Sequence, residues 1–137
     1  MKSAPQAEIH SSSITVAIPL VPPDLNHYVR HTRTGRHYVT KEAAAFKAAL
    51  AIYARGEFVQ ANSFAVQILV VLGKGERGDI DGFQKLVLDG LADAGVFRDL
   101  KGERLSDAYV DDLHSWRDRK ERPETGRTAI KVIALGI

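Results

Sequence analysis

The sequence predicts an α+β fold, a mixed sheet with two main helices packed on it. Three observations predict it. Apolar residues alternate over Ile14–Leu20 with the period of a strand, two segments of helical period follow, and two strand-like runs close the chain. At 137 residues the chain fits one domain able to bury roughly two-thirds of its unfolded surface. We read residues 1–13 as a polar tail and 14–137 as that domain.

Ile14, Val16, Ile18 and Leu20 form the first strand, stopped by Pro22-Pro23, since proline supplies no N–H to a ladder. From Asn26 to Thr40 no helical period is sustained. Thr34-Gly35 suits a turn between short extended arms, so the segment reads as an exposed ribbon. Thr40 then caps a helix over Lys41 to Arg55, its stripe being Phe46, Ala49, Leu50 and Tyr53, with Gly56 as its left-handed stop. Phe64 to Leu72 is apolar on both parities, which predicts a central strand covered on both faces. A second helix follows, with Phe83, Leu86, Val87, Gly90, Leu91 and Ala94 on one stripe before Gly95. Asp81 and Gln84 have the spacing of a capping box at its start. Ser106–Trp116 and Thr128–Leu135 are the last strands, joined by the charged stretch RDRKERPETGR.

Composition narrows the function classes. Hydrophobic residues at 45% and charged residues at 26% are ordinary for a globular protein and indicate neither disorder nor a fibrous class. The absence of cysteine removes disulfides, zinc–thiolate sites and cysteine nucleophiles. No apolar run is long enough for a signal peptide core or a membrane span, so a soluble cytoplasmic protein is expected. A net charge of +2 and a pI near 9.0 permit nucleic-acid binding through a local patch.

The chemistry concentrates in Gly78-Asp79-Ile80-Asp81-Gly82-Phe83-Gln84-Lys85. In extended backbone, positions i and i+2 point to the same side, so Asp79 and Asp81 can converge on one hard cation such as Mg²⁺. Lys85 lies one helical turn beyond Asp81, placed to balance those charges or contact a phosphate. Carboxylates, metal and lysine together suit phosphodiester hydrolysis. A plainer reading stands beside this one: Asp81 caps the helix and Lys85 pairs with Asp89 across solvent. Leu25 to Lys41 holds Arg30, Arg33, Arg36, Lys41, three histidines, Tyr28 and Tyr38 with no acidic residue, a segment suited to DNA phosphates or to solvent alone. The histidine spacing matches no zinc pattern.

The whole pattern resembles the RusA family of Holliday junction resolvases over roughly Ile14 to Trp116. ITVAIPLVPPDLNHYVRHTRTGRHYVT is similar to the family's opening strand, Pro-Pro turn and basic ribbon. GDIDGFQKLVLDGLADAGVF resembles its Asp-x-Asp-Asn, lysine, and helix ending in Ala-Gly. The resemblance implies a Mg²⁺-dependent crossover junction endodeoxyribonuclease, with Mn²⁺ as the alternative ion, working as a homodimer on branched DNA. It carries metal binding and catalysis to Asp79 and Asp81 and phosphate assistance to Lys85. A third carboxylate falls on Asp107, with Asp99 as competitor. For each of Asp99, Asp111 and Asp112, ordinary exposed charge is the favoured reading.

This chain departs from the family in three places. Gly82 replaces the Asn after the second aspartate. Gly78 stands where a basic residue often precedes the first, a role left to Arg77, and Arg98 to Leu105 reads as an insertion. These departures motivate the alternative of a branched-DNA-binding protein with weakened or lost cleavage. An unrelated α/β domain with a capping aspartate and a loose basic loop is the third reading.

Overall fold

The computed structural model describes residues 12–23, 29–31, 37–76 and 83–136. A four-stranded mixed sheet has the order β1-β8-β5-β7, with strands β1 Ser13–Ile18, β5 Phe64–Val71, β7 Val110–Asp118 and β8 Arg127–Ala134. β8 runs antiparallel to both β1 and β5, while β5 and β7 are parallel. Two helices, α1 Lys41–Tyr53 and α2 Gln84–Asp93, supply buried side chains to the same core as the sheet. The α+β class with a mixed sheet and two helices is therefore observed.

The core explains the alternation. Ile14, Val16 and Ile18 of β1, Phe64, Val66, Ile68 and Val70 of β5, and Ile130 and Val132 of β8 are all buried. They meet Phe46 and Leu50 of α1 and Leu86, Val87 and Leu91 of α2 in one cluster. α1 and α2 pack closely at Gly90, where a Cβ would lie 2.6 Å from Leu50 Cδ2, so only glycine lets the helices approach this far. Thr40 caps α1, its hydroxyl accepting from the Ala43 N–H at 3.3 Å.

Several expectations are corrected. β1 includes Ser13, placed above in the tail, and ends at Ile18, leaving Leu20 exposed. α1 stops at Tyr53, and Tyr53, expected on the buried stripe, is half exposed because the buried positions run Ala43, Phe46, Leu50 and Ala54. β5 is covered on both faces only toward its ends, at Ala65 and Val71. In its middle Gln67 and Leu69 reach solvent, because both helices lie on the other side. α2 begins at Gln84 with Phe83 as its N-cap, whose side chain makes no capping hydrogen bond; Asp81, the other half of the expected capping box, lies outside the described residues. Phe83 is buried, and Gln84 donates its side-chain N–H to the Ser115 hydroxyl of β7 at 3.2 Å.

Short elements complete the chain. The ribbon's arms are an antiparallel pair, β2 Val29–His31 and β3 His37–Val39, as expected; the Thr34-Gly35 turn lies outside the described residues. A parallel pair too short to carry a periodic signal, β4 Val59–Gln60 and β6 Phe97–Arg98, was not foreseen. The last-but-one strand begins four residues later than expected, a 3-10 turn at Asp107–Tyr109 preceding it. Among the described residues no helix is long and apolar enough to cross a membrane.

Candidate functional site

The segment singled out by its chemistry joins β5 to α2, and Arg77, Asp79 and Asp81 lie outside the described residues, as do Arg33 and Arg36. What is described is how both ends of that segment are held. On the β5 side, Leu72 donates its N–H to the Asp118 carbonyl at 3.0 Å, and the Lys74 N–H reaches the Pro123 carbonyl at 2.9 Å. Glu76 turns back to accept from the Gly73 N–H at 2.6 Å. Arg122 clamps the turn, one guanidinium nitrogen donating to the carbonyls of both Gly73 (3.0 Å) and Glu76 (2.9 Å).

Arg122 does this from a left-handed backbone, φ 46°, sparsely populated for a residue with a Cβ. The turn is tight enough that a Cβ on Gly126 would collide with the Glu76 carboxylate. On the α2 side, Phe83 is buried and fixed in the core. The Asp-x-Asp segment thus leaves one anchored residue and returns to another. Arg122 was read from the sequence only as part of a charged connection. Its partners are 46 and 49 positions away, so nothing local could have revealed the clamp.

A cavity of about 380 Å³ opens beside this strap, lined by Val21, Pro22, Pro23, Glu42, Phe46 and Glu76 among others. The Pro-Pro turn, the first turn of α1 and the β5 strap therefore meet where the Asp-x-Asp segment departs. Glu42 and Glu76 are two carboxylates at this end that motif spacing did not single out. Their convergence depends on α1 packing against the end of β1.

The remaining candidates are placed as follows. Lys85, in the first turn of α2, is two-thirds exposed with its ammonium 3.6 Å from Asp89, the pairing expected of the plainer reading. That long, exposed contact leaves the ammonium close to solvent. Lys41 is exposed at the first position of α1. Arg30 lies on β2, of which the backbone alone is described.

Asp107 is half-buried in the 3-10 turn before β7, and its carboxylate makes no hydrogen bond or ion pair with the described residues. Asp99 is committed locally, accepting from the N–H groups of Lys101 (2.8 Å) and Glu103 (2.9 Å). The stretch Arg98 to Leu105 folds on itself, with Leu105 donating to the Phe97 carbonyl and Arg104 to the Asp93 carbonyl at the far end of α2. Asp107 follows three residues after Arg104, and α2, ten residues long, spans about 15 Å. The 3-10 turn that carries Asp107 packs against α2, and the role of Asp107 as a metal ligand rests on the resemblance alone.

Among the described residues no group of three or more histidines or carboxylates could hold a metal ion. Two carboxylates at i and i+2 remain the donor chemistry that suits a hard divalent cation. In comparisons with known proteins, no family model matches the chain and no curated protein matches it.

Proposed function

We propose that this protein is a Mg²⁺-dependent, structure-selective endodeoxyribonuclease of the RusA type that resolves four-way DNA junctions by paired phosphodiester hydrolysis, as a homodimer. One observation carries the reading. The Asp-x-Asp segment follows the carboxyl end of β5 and leads into α2, which connects the parallel pair β5 and β7 of the sheet. Ligand sites in sheets with parallel strands gather beyond those carboxyl ends, and here both ends of the segment are anchored.

Asp79 and Asp81 would hold the cation. When bound, it lowers the pKa of a water and offsets charge developing on the phosphate. Lys85 leaves its weak contact with Asp89 to donate to a non-bridging phosphate oxygen as negative charge grows there. Arg30, Arg33, Arg36 and Lys41, with Arg77, hold the flanking phosphates by charge and set the register of the strand without reading its sequence. A twofold enzyme matches a twofold junction, so each copy cuts one strand.

Incubation of the protein with a synthetic four-way junction, with and without Mg²⁺, tests the reading against a linear duplex of the same sequence. Symmetric paired nicks that require both metal and junction are expected. Junction binding without cleavage would instead favour the binding-protein alternative, which Gly82 and the displaced third carboxylate motivate. Absence of both would leave an unrelated fold of this class.

A further inference from the structure

The sheet has a second face that neither helix covers, and its side chains form a grid fixed by the strand register. One row across the strands reads Trp116, Leu69, Ala129 and Ala17. The next reads His114, Gln67, Lys131 and Thr15. Trp116 is 48% exposed and Leu69 36%, and together with Ala129 and Lys131 they line a depression of about 420 Å³. The Trp116 ring stacks on His114, ring centroids 6.0 Å apart, and His114 in turn lies 3.0 Å from Asp112.

We propose that this face is where a second copy of the chain docks, sheet against sheet, about a twofold axis parallel to the strands. That there is a second copy rests on the homodimer reading above; the face on which it docks is argued from the grid. The first row runs from large to small across the sheet. Turning the sheet over about an axis between β5 and β8 places Trp116 on Ala17 of the second copy and Leu69 on its Ala129, each bulky side chain meeting a short one. Packing of this kind tolerates the roughly 30° angle that sheet twist imposes.

Charge follows the same rule. Lys131 stands in the middle of the face with no ion pair among the described residues, and covering it without a partner would be costly. The same axis lays β7 of one copy over β1 of the other, so that Asp112 comes within a lysine's reach of Lys131 across the interface. A twofold axis perpendicular to the strands through this row would instead set Lys131 against itself. Four strands roughly 5 Å apart and about 26 Å long give roughly 500 Å² per copy, or roughly 1,000 Å² in all. That lies at the lower limit of specific interfaces, so a micromolar rather than a permanent dimer is expected.

Trp116 is the chain's only tryptophan and so reports directly on this face. Sedimentation equilibrium of the full chain and tryptophan emission are measured over one dilution series from millimolar to submicromolar. The mass should fall from two chains to one on dilution while the emission moves to longer wavelength in step. Leu69→Glu, whose side chain reaches solvent in the single copy, should keep its fold by circular dichroism and remain monomeric throughout, with the emission of dilute wild type. Lys131→Asp and Asp112→Lys should each weaken the dimer, and the two together should restore it. A wild type that stays monomeric at millimolar concentration, a dimer whose tryptophan emission never changes, or Leu69→Glu dimerising like wild type would each overturn the proposal.

Discussion

The two faces of the sheet are built from the same four strands and differ in what meets them. Toward the helices, β1, β5 and β8 present Ile, Val and Phe at alternate positions, every one buried. Away from them, the intervening positions carry Thr15, Ala17, Gln67, Leu69 and Lys131, and β7 adds His114 and Trp116. The difference teaches that the helix-covered face holds the fold, whereas the bare face is free to carry other demands. Its apolar row is therefore better explained by association than by stability.

The largest expected effect separates the faces by stability. Leu50→Ala removes a fully buried side chain that packs against Gly90 and should cost about 2–5 kcal/mol. Leu69→Ala on the bare face should cost on the order of 0.5 kcal/mol in dilute protein. Urea denaturation of both variants checks this, and equal losses would mean that the bare face is packed in solution.

The connection after α2 sharpens the comparison on the helix-covered side. If Asp107 is the third carboxylate, Asp107→Asn should slow junction cleavage on the order of a hundredfold. Asp99→Asn should cleave near the wild-type rate and lose about 1 kcal/mol of stability, because the Asp99 carboxylate serves the Lys101 and Glu103 N–H groups. Rates measured side by side decide, and the reverse ranking would return the role to Asp99. If neither variant loses activity, a carboxylate nearer the strap, such as Glu42 or Glu76, becomes the better candidate.

The smallest effect concerns where DNA lies. Changing Arg30, Arg33 and Arg36 together to Ala should flatten the salt dependence of junction binding, since fewer phosphate counterions are released, while Lys131→Ala on the bare face should leave the slope unchanged. A slope that responds to Lys131 and not to the ribbon would move the nucleic acid onto the bare face.

Much of the fold was legible because it follows from periods that local sequence carries. The alternation in β1, the caps and stops of α1 at Thr40 and Gly56, and the stripe of α2 before Gly95 all give elements within a few residues of those observed. Elements that depend on distant partners were not legible. β4 and β6 are two residues each and exist because Val59 pairs with Phe97. The one-sided cover of β5 depends on where both helices lie, and its composition alone suggested two covered faces.

The candidate site divides the same way. Its carboxylates and lysine stand close together in sequence, whereas the Arg122 clamp and the cavity lined by Glu42 and Glu76 arise only when residues far apart in the chain meet. The place of Asp107, in a 3-10 turn packed against α2, is likewise a property of the packed chain.

The central claim is that Asp79 and Asp81 hold the metal that cuts DNA, and the direct measurement compares cleavage and binding of a four-way junction by wild type, Asp79→Asn and Asp81→Asn in Mg²⁺. The account predicts that each variant loses cleavage while binding the junction nearly as well as wild type, since the basic surface is untouched. Full cleavage by either variant would contradict it.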